Sequence, residues 1–143
     1  MKIQISRADP DVKIPSYATP GDAGLDLYSA EEHVLKPGER KLISTGVRIA
    51  VPLGYEAQVR PKSGLAVKHG ISVVNTPGTI DAGYRGVVGV IAINHGQEEF
   101  KVEKNAKIAQ MVINKIEQAE LEEVSSLDET ERGEGGFGST GTH

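Results

Sequence analysis

The chain has 143 residues, about one domain, with no cysteine and a formal net charge of −4. A chain of this length can bury a hydrophobic core without covalent cross-links, and the lack of cysteine excludes disulfides, thiolate nucleophiles and cysteine-ligated zinc. The acidic balance and the absence of a basic block argue against a protein that holds nucleic acid by its phosphates, but they are compatible with one small basic pocket.

The N-terminal residues, Met1 to Ile5, lack the apolar stretch of a secretory signal. No apolar run approaches the roughly 20 residues that span a membrane. We therefore expect a soluble, cytoplasmic protein with neither a membrane nor a nucleic acid as its partner.

The first segment with chemical content, residues 23–29, predicts a strand in which Asp26 lies between two leucines. An aspartate there either faces outward or holds a metal ion through water. Mg²⁺ suits the second alternative, because it keeps most of its waters and is commonly shared between a carboxylate and substrate phosphates.

Apolar and polar residues alternate in several short segments of the chain, at 47–51, 55–60 and 100–103. Turn residues separate these segments, as in Pro52-Leu53-Gly54. With no long helical stretch, the pattern predicts an antiparallel all-β barrel or sandwich of jelly-roll type.

One short helix is predicted between Ser63, as its N-cap, and the terminal Gly70. Its first free amides, the Ser63 hydroxyl and the cation of Arg60 or Lys62 would form an anion site, unless Ser63 is a plain helix cap. Ser63 is no candidate nucleophile, because His69 lies almost two helical turns away.

Residues 75–86 combine a Pro-Gly turn with Asp81 and, beyond an Ala-Gly step, Tyr84. The turn can hold both side chains toward one cavity, where the carboxylate could take a proton from water; the alternative for Asp81 is an Asx turn. Asn75 could read a base edge or cap a turn.

The following segment, 87–93, is apolar throughout and predicts a strand covered on both faces, by the monomer itself or by another subunit. We infer a homo-oligomer.

Gln110 lies in an apolar strand, where it either donates to a phosphate or satisfies a backbone group.

Near residue 128 the composition becomes polar and glycine-rich, so we expect a β-barrel domain over 1–128 and a flexible lid over 129–143. Phe137 is the only large apolar side chain of the last twelve residues, which also carry Arg132, Ser139 and Thr140. This content predicts closure over a flat, anionic ligand; a frayed terminus is the alternative. The G-x-G-x-x-G match at 133–138 lacks the strand and helix of a dinucleotide fold.

Taken in order, five segments of the chain resemble the five motifs of the trimeric deoxyuridine triphosphate nucleotidohydrolases (dUTPases), namely 23–29, 60–66, 75–86, 106–112 and 132–141. The resemblance implies a jelly-roll homotrimer with the dUTPase-like β-clip that hydrolyses dUTP to dUMP and pyrophosphate with Mg²⁺. Such an enzyme keeps uracil out of DNA and supplies dUMP for dTTP synthesis.

The resemblance also implies roles for single residues. Asp81 would be the general base that activates water for attack on the α-phosphorus, and Asp26 would hold the metal through water. Asn75 would belong to a uracil-reading hairpin, and Tyr84 would pack beneath the deoxyribose. Phe137 would stack on uracil, in a tail supplied by a third subunit. The implied substrate-binding residues are Arg60, Lys62, Ser63, Gly64, Asn75, Thr79, Tyr84, Gln110, Arg132, Phe137, Gly138, Ser139 and Thr140.

Two lysines depart from the family pattern, since Lys62 and Lys107 stand where many relatives carry arginine. Lysine cannot make the bidentate fork of a guanidinium, so Lys107 is left out of the predicted site. Two competing interpretations are a deoxycytidine triphosphate deaminase of the same fold, with glutamate-centred chemistry, and a nucleotide-binding sensor that has lost turnover.

Overall fold

The structure, a computed structural model, describes residues 1–142, so His143 of the predicted lid lies outside the described residues. Within them lie eleven strands and one helix: β1 (Gln4–Arg7), β2 (Gly24–Tyr28), β3 (His33–Leu35), β4 (Arg40–Ser44), β5 (Val47–Ala50), β6 (Tyr55–Arg60), α1 (Ser63–His69), β7 (Ile71–Val73), β8 (Gly78–Ile80), β9 (Gly89–Asn94), β10 (Phe100–Val102) and β11 (Lys107–Lys115).

The strands form four sheets in which every pairing is antiparallel. The largest has the order β2-β11-β6-β8, with β8 at its edge, and a second has the order β4-β9-β7. Two strand pairs, β1-β5 and β3-β10, complete the set. The predicted antiparallel β architecture with one short helix is confirmed.

The core is built from alternate residues of these strands, as the period-2 pattern predicts. On β5, Val47 and Ile49 are buried and Arg48 between them is exposed; on β6, Ala57 and Val59 are buried. Full burial of one such aliphatic side chain contributes about 1.5–3 kcal/mol. The alternate, outward-facing positions of β6 are thereby left for polar residues.

Strand β9 is expected to be covered on both faces, by the monomer itself or by another subunit, and the single chain fully covers one of them. It begins at Gly89, and Val90, Ala92 and Asn94 are buried on one face. On the other face Ile91 and Ile93 are only half-buried. A single chain therefore covers one side of this apolar strand and leaves the other side partly open.

Helix α1 begins one residue earlier than predicted. The N-cap is Lys62, whose backbone is extended (φ −98°, ψ 129°), and no side chain caps the helix, so the N-cap assignment of Ser63 is wrong. The side chain of Lys62 pairs with Asp26 of β2. Gly70 ends the helix at φ 71°, and its N–H donates to Ala66 O at 2.9 Å.

The last strand ends at Lys115, and Ile116 N donates to Gly54 O at 2.9 Å. Residues 117–134 are exposed throughout. This exposed segment includes residues 117–128, which the sequence analysis assigned to the β-barrel domain. Within residues 1–142, no helix is both long and apolar enough to cross a membrane.

Candidate functional site

Most predicted site residues of the folded body line two separate clefts, whereas Asp26 and Gly64 line neither. The first, here called the Asp81 cleft, has a volume of about 250 Å³ and follows the edge strand β8; its polar lining comes from Asn75, Thr79, Asp81 and Tyr84. The second, the Lys62 cleft, has a volume of about 520 Å³ and is lined by Gln58, Arg60, Pro61, Lys62, Ser63, Ala66, Thr76, Pro77 and Gln110. The two clefts share no lining residue.

The turn after β8 places Asp81 and Tyr84 in one cleft, as predicted. Tyr84 N donates to Asp81 O at 3.1 Å, and the Arg85 guanidinium braces the turn by donating to Ala82 O at 2.7 Å and to Tyr84 O at 2.9 Å. Asp81 is exposed and lines the cleft, so its side chain is accessible to a ligand rather than enclosed by the turn. Between residues 75 and 86 the structure has β8 and turns, and Asn75 lies in the turn that precedes β8.

The ring of Tyr84 is held in place by a glycine that the motif analysis did not single out. A Cβ on Gly86 would overlap the Tyr84 hydroxyl and ring, so the ring occupies the space above the Gly86 backbone. The Tyr84 hydroxyl donates to Val87 O at 3.1 Å. Tyr84 is therefore fixed at both its ring and its hydroxyl, although it is half exposed. The Tyr-x-Gly spacing is the sequence signal that could have identified Gly86.

Polar residues of β6 form a row along one face of the large sheet. The Arg60 guanidinium donates to Gln58 Oε1 through Nε at 3.0 Å and Nη2 at 2.6 Å, and Gln58 Nε2 donates to Glu56 Oε2 at 3.2 Å. Gln58 thus aims Arg60 along the Lys62 cleft. Its place two residues before Arg60 on the same strand face is the signal that would have revealed it.

Gln110 lies opposite Arg60 on β11 and satisfies a backbone group, one of its two predicted roles. Its Nε2 donates to Pro61 O at 2.8 Å, which ties β11 to the segment that precedes α1. A Cβ on Gly24 would collide with the Gln110 side chain, so this glycine makes the packing possible. The second amide hydrogen of Gln110 is available to the cleft that the residue lines.

Asp26 is buried, which excludes the outward-facing alternative for this aspartate. Its side chain is 5% exposed; Oδ1 lies 2.5 Å from Lys62 Nζ and Oδ2 lies 2.8 Å from Lys107 Nζ. Burial by itself raises the pKa of Asp26, but the hydrogen bonds from Lys107 and Lys62 outweigh it, so that the pKa is lowered from its ordinary value. The carboxylate therefore stays ionised within the fold at neutral pH.

Lys107, which the sequence analysis left out, is one of the two partners of this carboxylate. The hydrogen bond to Asp26 raises the pKa of the Lys107 ammonium, which therefore stays charged. Lys107 enters β11 where the register with β2 shifts between Lys107 and Ala109. No local sequence signal identifies the pair, because it depends on how the two strands align.

A metal site made from side chains alone is not found among residues 1–142, where no three His, Asp or Glu side chains gather in a ligating group. Asp26 supplies a single carboxylate, and both of its oxygens are engaged by ammonium groups. This donor set fits a Mg²⁺ ion that brings most of its ligands with it, as water and polyphosphate oxygens.

The hydrogen bonds of the glycine-rich tail are local, and its predicted binding residues line neither cleft. Arg132 Nε donates to Gly135 O at 2.8 Å, and Ser139 N donates to Gly136 O at 3.1 Å. Phe137 is fully exposed, at φ 50°. No residue of 132–142 lines the Asp81 cleft or the Lys62 cleft.

Known proteins resemble this chain over nearly its whole length. The family model described as dUTPase matches residues 10–141. The deoxyuridine 5'-triphosphate nucleotidohydrolase of Clostridium novyi is 60% identical, with 99% of each chain covered, and that of Clostridioides difficile is 57% identical, with 97% of each covered.

Solved structures show the same arrangement of the backbone. The Staphylococcus bacteriophage 80alpha dUTPase with dUPNHPP superposes with a TM-score of 0.90 at 30% identity, with 99% of each chain covered. A mutant dUTPase of the S. aureus phage phi11, described with a structural Mg(II) ion, gives a TM-score of 0.83 at 26% identity and covers 88% of this chain and 98% of its own. Because the family model spans the two clefts and most of the tail, and the relatives are more than half identical end to end, the chain belongs to the dUTPase family.

Proposed function

We propose that the protein is a dUTP diphosphatase, which hydrolyses dUTP to dUMP and pyrophosphate with Mg²⁺ in the cytoplasm. Such an enzyme would keep uracil out of DNA and supply dUMP. The observation that carries the proposal is the chemistry of the two clefts. One offers a carboxylate, an aromatic ring and an amide beside an apolar wall, and the other offers cations and hydrogen-bond donors for phosphates.

The Asp81 cleft supplies the base recognition and the attack. Asn75, Thr79 and the backbone of β8 would bind the uracil edge, and a cytosine there would leave polar groups unpaired. Tyr84, fixed over Gly86, would lie beneath the deoxyribose and leave no room for a ribose 2′-hydroxyl. Asp81 takes a proton from water, the water oxygen bonds to the α-phosphorus, and the bond to the bridging oxygen breaks to release pyrophosphate.

The Lys62 cleft supplies charge for the triphosphate. Its lining residues Arg60, Lys62, Ser63 and Gln110 would contact the phosphate oxygens, together with Gly64 in the first turn of α1. Positioning with charge neutralisation is most of what phosphoryl-type chemistry needs. Mg²⁺ bound to the phosphates would serve as template and Lewis acid, with Asp26 holding it through water.

We infer that each site is assembled from the subunits of a homotrimer. Three observations support this: the two clefts share no lining residue, the tail reaches neither cleft of its own chain, and the outer face of β9 is only partly covered. An apolar groove of about 460 Å³, lined among others by Ile3, Ile5 and Met111, offers a further surface for a neighbouring subunit. The tail, with Arg132, Phe137, Gly138, Ser139 and Thr140, would close a site formed by two other subunits.

Pyrophosphate release from the four common deoxynucleotides, dUTP and UTP tests the proposal directly. We expect release from dUTP alone. Ammonia formed from dCTP would instead indicate a deaminase, and tight dUTP binding without product, even with Mg²⁺, would indicate a sensor. Either result would overturn the proposed activity.

The water-activating role of Asp81 is tested by Asp81→Asn. An amide cannot take the proton, so turnover is expected to fall at least about a hundredfold while binding of a non-hydrolysable dUTP analogue stays near normal. Near-normal turnover by this variant would rule the role out.

A further inference from the structure

We propose that Lys107 is a positioning residue for phosphate binding: it holds Asp26 so that the Lys62 ammonium can leave that carboxylate and bind the triphosphate. The inference rests on the proposed function and concerns the charge balance around one buried group.

The geometry gives Asp26 one cation for each oxygen. Lys62 lies at 2.5 Å from Oδ1 and also lines the cleft, whereas Lys107 lies at 2.8 Å from Oδ2 and does not line the cleft. The two ammonium groups therefore share a carboxylate but differ in their access to a ligand. Among the cationic side chains of the cleft, Arg60 is held by the neutral Gln58, and Lys62 is held by a carboxylate.

A buried carboxylate is strongly destabilised when it loses its only counter-ion. If Asp26 had a single lysine partner, moving that lysine to a phosphate would leave the carboxylate unpaired. The free energy of ligand binding would then be less favourable by the cost of the unpaired charge. With two lysines, Lys107 keeps Asp26 paired while Lys62 moves. Lysine suits the exchange, because its ammonium is a point charge with three donors on a flexible stem, whereas an arginine fork is bound to one planar acceptor.

Two other roles for Lys107 make different predictions. A direct contact with phosphate would weaken binding whether or not Asp26 is present. A purely structural contact would lower the melting temperature and leave ligand affinity unchanged. A double-mutant cycle between Asp26 and Lys107 separates all three, because it measures whether one residue acts through the other.

The experiment compares Lys107→Met, Lys107→Arg, Asp26→Asn and the double variant Asp26→Asn/Lys107→Met. The matched control is Lys101→Met, which removes an exposed lysine that lies 3.6 Å from Glu103. The readouts are the dissociation constant of a non-hydrolysable dUTP analogue, measured by calorimetry without added metal, and KM and kcat for dUTP with Mg²⁺.

Lys107→Met is expected to raise both the dissociation constant and KM about tenfold, with kcat changed less than about twofold. Lys107→Arg should restore binding, and Lys101→Met should bind as the wild type does. In the Asp26→Asn background, Lys107→Met should cause no further loss. Lys107→Gln provides a second test if the methionine variant fails to fold.

An unchanged dissociation constant in Lys107→Met, or the same loss with and without Asp26, would overturn the inference. Its failure is distinguishable from failure of the proposed function. If the wild type neither binds the analogue nor hydrolyses dUTP, the function is wrong; if it does both and the cycle shows no coupling, only the role of Lys107 is wrong.

Discussion

The Lys62 cleft and the glycine-rich tail carry the two largest groups of predicted phosphate contacts, yet they are built in opposite ways. In the cleft, Arg60 is held by Gln58 and Gln110 by Pro61, so these two donors are fixed by partners in the folded sheet or next to it, and Lys62 is held by Asp26 until it moves to a phosphate. In the tail, the hydrogen bonds of the described residues stay within residues 130–141.

This difference separates preorganisation from closure. Donors that are fixed in advance lose little freedom when they bind phosphate, and they stabilise developing charge without rearrangement. The tail, whose described residues form only internal hydrogen bonds, loses much more conformational freedom when it docks. Because these bonds do not tie it to the folded body, it can open to admit and release the nucleotide. Changes in the cleft should therefore alter folding and binding together, whereas changes in the tail should alter activity alone.

The sharpest way to break this comparison is deletion of residues 132–143. The expected result is a protein of unchanged oligomeric state and melting temperature that has lost most of its activity, at least about tenfold in kcat/KM, because the lid that excludes water is gone. Analytical ultracentrifugation, calorimetry and pyrophosphate release measure the three quantities. A truncated enzyme as active as the full chain would show that the tail is a frayed end.

A smaller effect is expected from Gly86→Ala, which tests preorganisation in the Asp81 cleft. The new Cβ would overlap the Tyr84 ring and displace it, so KM for dUTP should rise about fivefold and the preference for dUTP over UTP should fall. Gly83→Ala is the matched control in the same turn, because a Cβ there meets open space and its backbone has no positive φ. Equal behaviour of the two variants would contradict the positioning of Tyr84 by Gly86.

The smallest expected effect is on stability in acid. The pKa of Asp26 is lowered in the folded state, so its contribution is present above the unfolded pKa of about 3.9 and is lost as the pH falls through the folded value. Asp26→Asn should lower the free energy of unfolding by about 1–3 kcal/mol at neutral pH. Denaturant titrations should show that the difference from the wild type is constant above about pH 5 and shrinks below about pH 4. If the difference in free energy of unfolding between the wild type and Asp26→Asn grew as the pH fell, the lowered pKa of Asp26 would be contradicted.

Much of the fold and the candidate site can be predicted from local sequence. Alternation at 47–51 and 55–60 places strands β5 and β6, since side-chain direction in a strand has period 2. Gly70 marks the end of α1, because it takes the left-handed conformation that a C-cap requires. The turn at Asp81 brings this residue and Tyr84 into one cleft because they are only three positions apart.

The partners of these residues required the tertiary structure. Lys62 lies 36 residues from Asp26 in the chain and touches it only because β2 and the segment before α1 meet beside β11. Lys107 contacts the same carboxylate, and the register shift beside it in β11 has no sequence signature. Whether an aspartate between two leucines faces water or two ammonium groups is likewise decided by the strands around it.

The sequence by itself thus determined which side chains bring chemistry to this protein and the order in which they occur. Only the tertiary structure decided that they divide into two preformed clefts and a tail bonded to itself, and that a buried carboxylate holds two lysines. The physical reason is that propensity and periodicity act over a few residues, whereas burial and charge pairing depend on strands that are distant in the chain and adjacent in space.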